Sequence, residues 1–328
     1  MKLVRTYVLP ALAAIGLSFA TAATPALAQD VTYLLPAPGS LPAFAPWMVA
    51  QQRGYFKSEG LNVTFQVARG GVDVAKQVGA GNAVIGGAIG DTPILVRANG
   101  VPVKSVAVLG GRSLTQLVLN KDKGVNTVKD LKGKVVTTMA FQDTTFFALL
   151  GMLATQGMTK DDINAQAVGP VNIWKLFAAG EAAAMAAVPE WTYYAKTQAP
   201  NIKMEVIPSD TMFKSMAQAI VVSDETIQKN PELVKKLVRA TLKGMKAVMD
   251  DPAAAAADYV KAVPEHAGKE AEMTAILKGY AELVYPGQTV LGEMDEARLS
   301  SLQDFYQAQG IIQQKSNVKD LYTNQFIQ

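Results

Sequence analysis

The sequence predicts an α/β fold of two lobes, each a mostly parallel sheet flanked by helices. Strand-like and helix-like segments alternate from the start, and the alternation begins again after about residue 113. A near-continuous apolar stretch that ends in a carboxylate occurs in both halves, at 81–91 and at 180–190. Such runs suit strands that are buried on both faces of a parallel sheet. These observations together predict two similar α/β units.

The repeated stretch places a carboxylate just past the end of a strand in each half. Aligning Gly81 with Gly180 superposes Asp91 on Glu190. Open α/β sheets bind ligands at the carboxyl ends of their strands. We therefore expect Asp91 and Glu190 to face one cleft from opposite lobes and to recognise polar groups of a bound molecule.

In the first half, prolines and glycines divide the chain into short elements. Besides the repeated stretch, strands are predicted at 31–35, 60–67 and 103–109. Helices are predicted at 44–53, around 74–78 and at 92–99, with Gly54 and Gly100 just past two of the ends.

The second half repeats this order and ends in helices. Strands are predicted at 114–120, near 134–138, at 206–207 and at 219–222, and a helix at 146–156. Helices are predicted at 231–248, from 252, at 270–284 and at 295–309. No linker of low complexity separates the halves, so we expect chain crossings near 110–114 and 214–220. The first lobe would hold 29–112 plus 218–328, and the second lobe 113–217.

Residues 1–28 have the three-part pattern of a secretory signal peptide. Lys2 and Arg5 precede an apolar segment at 8–23, and Ala26-Leu27-Ala28 supplies a small-x-small cleavage site. Nothing after it is long and apolar enough to span a bilayer. We expect Gln29 to be the first mature residue.

Composition narrows the class of protein. The 328 residues are 49% apolar and 18% charged, as in ordinary globular proteins. Loss of Lys2 and Arg5 lowers the formal net charge from +3 to +1, so no nucleic-acid or anionic-membrane partner is expected. There is no cysteine, which excludes a lipid anchor, disulfides and thiolate metal sites. We expect a periplasmic protein, a monomer without cofactor.

Two enzyme-type interpretations are weak. A dinucleotide fingerprint needs a strand before its glycines and a helix after them, whereas Gly79 and Gly81 follow a helix and precede a strand. His266 is the only histidine and lies between Pro264-Glu265 and Gly268, which predicts a solvated surface residue without metal-binding partners. An enzyme that uses only carboxylates stays open, with Asp91 and Glu190 as its pair.

The loop at 140–147 predicts a polar helix start, with Asp143 or Thr144 as the N-cap. A helix N-terminus binds anions, but the charge of Asp143 opposes a bare anion there. Arg69 and Arg112 are the cations nearest the predicted strand ends. Of the aromatic residues near these loops, Phe44, Phe141 and Trp191 are candidate cleft walls, whereas Trp47 lies within a helix and is expected to pack in the core.

Several blocks in this order resemble one family. Residues 50–61, read as A-Q-Q-R-G-Y-F-K-S-E-G-L, are similar to a signature of the nitrate/sulfonate/taurine-type periplasmic binding proteins. The likeness continues through 81–91, 101–104, 128–134 and 179–190. These proteins are the solute-binding components of ABC importers, and they share a superfamily with the thiamine-pyrimidine synthases.

The resemblance implies a type II periplasmic binding fold, with two crossing strands as a hinge that closes on a small organic solute. It also implies an inner-membrane permease with its ATPase as partner. Together with the residue types, it gives the ligand-binding candidates Ser40, Phe44, Arg69, Asp91, Thr92, Arg112, Phe141, Gln142, Asp143, Thr144, Glu190 and Trp191.

Two departures from the family pattern bear on the ligand. The second-lobe loop at 141–145 reads Phe-Gln-Asp-Thr-Thr instead of a Gly/Ser/Thr-rich sequence, and Pro189-Glu190-Trp191 replaces a Trp-Glu-Pro order. The leading prediction is capture of a sulfonate/taurine-like solute or an aromatic or organic acid. The alternative is a pyrimidine or thiamine-precursor ligand on the same fold. A remote alternative is a pyrimidine synthase-type enzyme, but the resemblance implies an iron site, a histidine and a cysteine-rich motif for such enzymes.

Overall fold

The computed structural model describes residues 1–3, 28–208 and 210–327, except for the side chain of Thr144. Most of the predicted signal peptide, 4–27, lies outside the described residues. Among the helices that are described, none combines the length and the apolar character that a membrane span requires.

Ten strands in the described residues form two five-stranded sheets, which confirms the α/β class. The first sheet contains β1 (Gln29–Leu35), β2 (Leu61–Val67), β3 (Ile85–Ile89), β4 (Val103–Val108) and β10 (Gln218–Ser223). The second sheet contains β5 (Gln116–Asn120), β6 (Val135–Thr138), β7 (Asn164–Ala167), β8 (Ala184–Ala187) and β9 (Met204–Ile207).

The two sheets have the same topology. The first has the order β2-β1-β3-β10-β4 and the second the order β7-β6-β8-β5-β9. In each, four strands run in one direction, and one strand, β10 or β5, runs against its two neighbours. The repeated stretch of the sequence forms β3 and β8, which occupy equivalent central positions.

Helices cover both sheets. The first half contains α1 (Ala45–Gln52), α2 (Tyr55–Ser58), α3 (Gly71–Gly79) and α4 (Thr92–Arg97). The second sheet is accompanied by α5 (Thr144–Ala154), α6 (Gly169–Ala178) and α7 (Pro189–Gln198). After β10 come α8 (Asp224–Lys229), α9 (Pro231–Asp250), α10 (Pro252–Ala262), α11 (Glu270–Leu283), α12 (Glu296–Ala308) and α13 (Val318–Leu321).

The C-terminal helices pack mainly on the first sheet's side of the molecule. Helices α9 and α10 lie against α1, and α11 contacts both α10 and α7. The contact between α9 and α1 is close because position 244 is glycine: a Cβ there would lie 1.9 Å from the Pro46 carbonyl oxygen. The second sheet has a separate apolar cluster, which includes Leu119, Val136 and Leu149. Burial of such side chains contributes about 1.5–3 kcal/mol each.

Differences from the sequence prediction concern short elements. Strand β7 and helices α2, α7, α8 and α13 were not predicted, because they are short or their few apolar residues give no clear period. The predicted crossings near 110–114 and 214–220 correspond to the first crossing segment, 109–115, and the second crossing segment, 208–217, although 218–220 already belong to β10. The lobe limits at 112/113 and 217/218 stay a prediction.

Arg298 in α12 hydrogen-bonds both crossing segments. Its Nε donates to the Ser215 carbonyl and its Nη1 to the Gly111 carbonyl, each at 2.7 Å. Its Nη2 donates to the Asp210 carboxylate and to Ser113 Oγ. Ser113 also donates its N–H to Asp210 at 2.8 Å. One guanidinium therefore fixes the two connections between the sheets.

We expect Arg298→Met to lower the free energy of unfolding by about 2–4 kcal/mol, because it leaves Asp210 and two carbonyls without their charged donor. Denaturant titration measures this. Arg69→Met, at an exposed arginine, is the matched control and should change stability by less than about 0.5 kcal/mol. Equal effects of the two variants would contradict this role of Arg298.

Candidate functional site

A cavity of about 50 Å³ lies between the carboxyl ends of strands from the two sheets. Its first-sheet lining includes Pro36 after β1 and Ile89 at the end of β3. Its second-sheet lining includes Met139 after β6 and Val188 after β8. Open α/β sheets hold ligands at such positions. Most of the sixteen lining residues are apolar; the polar ones are Asp143, Thr145, Glu190 and Gln218.

The Glu190 side chain joins the second sheet to segments on the other side of the cavity. Glu190 is the second residue of α7 and is 1% exposed. Its Oε2 accepts a hydrogen bond from the Ala43 N–H at 2.6 Å and another from the Tyr280 hydroxyl at 3.3 Å. Ala43 belongs to a short 3-10 turn between β1 and α1, and Tyr280 belongs to α11. The carboxyl group thus links the two sides of the cleft.

Burial raises the pKa of Glu190 to about 7, although the hydrogen bonds from Ala43 and Tyr280 lower it. The pKa of Tyr280 is itself raised, first by burial and then by the charge of Glu190. The same two causes, in the same order, raise the pKa of Tyr259 and of Tyr285. Glu190 therefore lies near several tyrosines, and its burial favours the protonated form up to about neutral pH.

Asp91, the counterpart of Glu190 in the repeat, does not line the cavity. It is 1% exposed, and its Oδ2 accepts a hydrogen bond from the Tyr306 hydroxyl of α12 at 2.5 Å. Burial raises the pKa of Asp91 to about 6, while the Tyr306 bond lowers it. The expectation that Asp91 and Glu190 face each other across the cleft is wrong for this conformation, because a C-terminal helix supplies the partner of Asp91.

The loop before α5 brings one acidic side chain to the cavity. Asp143 caps α5, as predicted: its Oδ1 accepts hydrogen bonds from the Thr145 N–H at 2.9 Å and the Thr145 hydroxyl at 2.6 Å. Asp143 is 5% exposed, and burial raises its pKa while the Thr145 bonds lower it. Phe141 and Gln142 are exposed and do not line the cavity. The side chain of Thr144 lies outside the described part of the chain.

Two aromatic side chains line the cavity from opposite sides. Phe44 ends the 3-10 turn on the first-sheet side, and Trp191 follows Glu190 on the second-sheet side; each is 4% exposed. Phe44 packs against Trp47 with ring centroids 5.8 Å apart. Trp47 is fully buried, which confirms its predicted place in the core.

The loop that contains Ser40 is held by residues from the C-terminal region. The Ser40 carbonyl accepts hydrogen bonds from the Tyr259 hydroxyl at 2.6 Å and from His266 Nε2 at 2.7 Å. Nε2 carries the hydrogen here, because a carbonyl only accepts. The His266 ring also stacks on Tyr259, with centroids 5.6 Å apart. The interpretation of His266 as a solvated surface residue is therefore wrong.

The remaining candidates lie away from the lining. Thr92 is buried, and its Oγ1 accepts the Ile89 N–H at 3.2 Å. Arg69 and Arg112 are exposed, and Arg112 donates to the Glu282 carbonyl at 3.1 Å. Of the twelve candidates, the structure brings four to the cavity, and a ligand role for any of the twelve stays a prediction. The four are Phe44, Asp143, Glu190 and Trp191.

Sequence reasoning missed Tyr280 and Gln218. Nothing near Tyr280 in the sequence distinguishes it from other residues of an amphipathic helix, and its contact with Glu190 spans 90 positions. Gln218 had a weak signal, since it is the polar residue directly before an apolar strand.

Larger depressions lie elsewhere in the described residues. One of about 420 Å³ lies beside the crossing segments and includes Gly110 and Arg298. Another of about 590 Å³ lies along α5 and includes Gln142 and Lys160. Neither contains Asp143 or Glu190, so the smaller cavity is the candidate site. Within the described residues, no group of three or more His, Cys, Asp or Glu is placed to hold a metal ion.

The raised pKa of Glu190 predicts a pH-dependent stability. Below about pH 4.5 the Glu190 carboxyl is protonated in the folded and unfolded states, so it does not make the free energy of unfolding depend on pH. Between pH 4.5 and about 7 the unfolded state loses its proton first, so stability falls as pH rises. Above about pH 7 this loss amounts to roughly 3 kcal/mol.

Glu190→Gln removes this titration but keeps an acceptor for the Ala43 N–H. We expect its stability advantage over the parent protein to grow by roughly 3 kcal/mol between pH 4.5 and 7.5, as measured by denaturant titration. Glu181→Gln, at an exposed position, should follow the parent profile. Parallel profiles of stability against pH for Glu190→Gln and the parent would contradict the assignment of this pH dependence to Glu190.

Comparison of the sequence with known proteins identifies a family. The profile of the NMT1/THI5-like family matches residues 41–255. The riboflavin-binding protein RibY of Chloroflexus aurantiacus is 26% identical over 296 residues, which cover 87% of this chain and 82% of RibY. The 4-amino-5-hydroxymethyl-2-methylpyrimidine phosphate synthase of Aspergillus parasiticus is 27% identical over 237 residues, or 68% of each chain.

A solved structure shares the fold. The alkanesulfonate-binding protein SsuA from Xanthomonas axonopodis pv. citri superposes with a TM-score of 0.71 at 17% identity, covering 92% of this chain and 100% of SsuA. The match confirms the two-lobed fold of periplasmic binding proteins that the sequence blocks implied. The family match covers more than half of the chain, and the chain belongs to the NMT1/THI5-like family.

Proposed function

We propose that the protein is the solute-binding component of an ABC import system and that it captures a small heterocyclic solute which is not an anion. The observation that supports this most is the lining of the cavity between the sheets. It combines two acidic side chains, Asp143 and Glu190, with two aromatic ones, Phe44 and Trp191. Closure of two lobes around a hinge is the general way in which such folds enclose a ligand.

The charge of the lining argues against nitrate or a simple sulfonate. No Lys, Arg or His is among the described lining residues, and Arg69 and Arg112 are exposed. An anion in this poorly solvated cavity would meet no cationic side chain among the described lining residues, and it would repel the ionised forms of Asp143 and Glu190. The first prediction from sequence, a sulfonate or acid ligand, is therefore less well supported than the pyrimidine-type alternative.

A heterocycle with ring amino groups suits the lining. Its faces would stack on Phe44 and Trp191, and its N–H groups would donate to Glu190 and Asp143. Two of the relatives are named for heterocycles that they bind or form, a riboflavin-binding protein and a pyrimidine phosphate synthase. Their names support the class of ligand and not a particular compound.

We propose binding without catalysis. The chain contains no cysteine, and its one histidine holds the Ser40 carbonyl and does not line the cavity. The resemblance implies a histidine and a cysteine-rich motif for the synthase-type enzymes, so their chemistry has no counterpart among the cavity residues. Chemical conversion of a stabilising heterocycle by the purified protein would overturn this proposal.

We also propose that the protein acts outside the cytoplasm as a monomer that delivers solute to a membrane permease and its ATPase. The three-part N-terminal pattern at 1–28 and the family resemblance support this location. Expression of the full chain in a two-membrane bacterium followed by osmotic shock tests it, because a periplasmic protein is released shortened at its N-terminus.

A ligand panel tests the proposed class. Thermal denaturation with aminopyrimidines, riboflavin, taurine, an alkanesulfonate and nitrate should show stabilisation by at least one neutral heterocycle and none by the anions. Calorimetry then gives the dissociation constant. Stabilisation by the sulfonates alone would contradict the argument from charge.

Trp191→Ala should weaken binding of the stabilising heterocycle by roughly tenfold or more, because it removes a stacking surface. Trp174→Ala is the matched control, since Trp174 packs against Tyr194 with centroids 5.2 Å apart and does not line the cavity. If both variants bind as the parent does, Trp191 is not a wall of the ligand site.

A further inference from the structure

Gln218 is a buried amide whose oxygen has no partner within the protein. It is the first residue of β10, lines the cavity and is 5% exposed. Its Oε1 is buried and accepts no hydrogen bond. Buried polar atoms in folded proteins are almost always paired, so an orphaned one that borders a ligand cavity requires an explanation.

The backbone holds Gln218 firmly in place. The residue is paired with Ile89 in the antiparallel ladder between β10 and β3. Its carbonyl accepts a hydrogen bond from the Leu109 N–H at 2.6 Å, which comes from the first crossing segment. The amide is therefore presented to the cavity from a fixed position in the first sheet, next to the connection between the lobes.

The second sheet contains a glutamine in the equivalent position, and the amide oxygen of this glutamine is hydrogen-bonded. Gln116 is the first residue of β5, the strand that corresponds to β10 in the shared topology. Its Oε1 accepts a hydrogen bond from Thr192 Oγ1 at 2.7 Å. The protein thus satisfies one amide oxygen internally and leaves the equivalent one without a partner, in a residue that lines the cavity.

We propose that Gln218 is a ligand-recognising residue whose Oε1 accepts an N–H or O–H group of the solute. The inference rests on the proposed function of the cavity as a solute site. Asp143 and Glu190 offer acceptors from the second-sheet side, and Gln218 offers one from the first. The solute is thus a flat molecule with hydrogen-bond donors on two edges. If the solute also carries an acceptor beside the group that donates to Gln218, that acceptor would pair with the amide N–H of Gln218.

Two methionine variants separate recognition from a structural role without any ligand. Gln116→Met removes an acceptor that Thr192 uses, so its melting temperature should fall. Gln218→Met replaces an unpartnered amide by an apolar side chain of similar size, so its melting temperature should be unchanged or higher. A fall for Gln218→Met as large as that for Gln116→Met overturns the proposal.

A binding experiment compares a diaminopyrimidine with the dimethylpyrimidine that has the same substitution pattern. The parent should prefer the diamino compound, and Gln218→Met should weaken its binding by roughly tenfold and reduce that preference. Unchanged affinity in Gln218→Met overturns the role of Gln218. If the parent binds neither compound, the proposed ligand class fails, and the comparison of melting temperatures still decides whether the amide is structural.

Discussion

A single buried carboxyl group, that of Glu190, connects the two sides of the cleft. It accepts hydrogen bonds from the Ala43 N–H and the Tyr280 hydroxyl, and the described residues that line the cavity include no cationic side chain. A buried carboxyl without a cation is costly when it is ionised, and its raised pKa reflects this. The bond to Ala43 also fixes the 3-10 turn at 42–44, which ends at Phe44. The hydrogen bond between Ala43 and Glu190 therefore contributes to joining the lobes and also positions an aromatic wall.

The C-terminal helices change an otherwise repeated architecture. The two sheets share a topology, and each has a carboxylate just after its central strand. Helix α12 supplies Tyr306 to Asp91, and α11 supplies Tyr280 to Glu190. Asp91 does not line the cavity, whereas Glu190 does. The asymmetry of the site follows from helices that have no counterpart after the second sheet.

The sequence was most informative where the physical cause was local. Apolar runs that end in a carboxylate predicted β3 and β8, and a polar residue before an apolar helix predicted the cap at Asp143. Contacts between distant segments could not be predicted from local patterns. Arg298 reaches both crossing segments, and His266 reaches Ser40 across 226 positions, because the C-terminal helices fold back over the first sheet. Arg69 and Arg112 follow or flank strands, yet their side chains are exposed.

The most direct test measures whether Glu190 holds the lobes together. The chain has no cysteine, so spin labels at Val67→Cys and Val171→Cys, both exposed, report the distance across the cleft by electron double resonance. The parent and Glu190→Gln, which keeps an acceptor, should give the same short distances. Glu190→Leu should shift the distribution to longer distances. Identical distributions in all three proteins would contradict the central role of this carboxyl group.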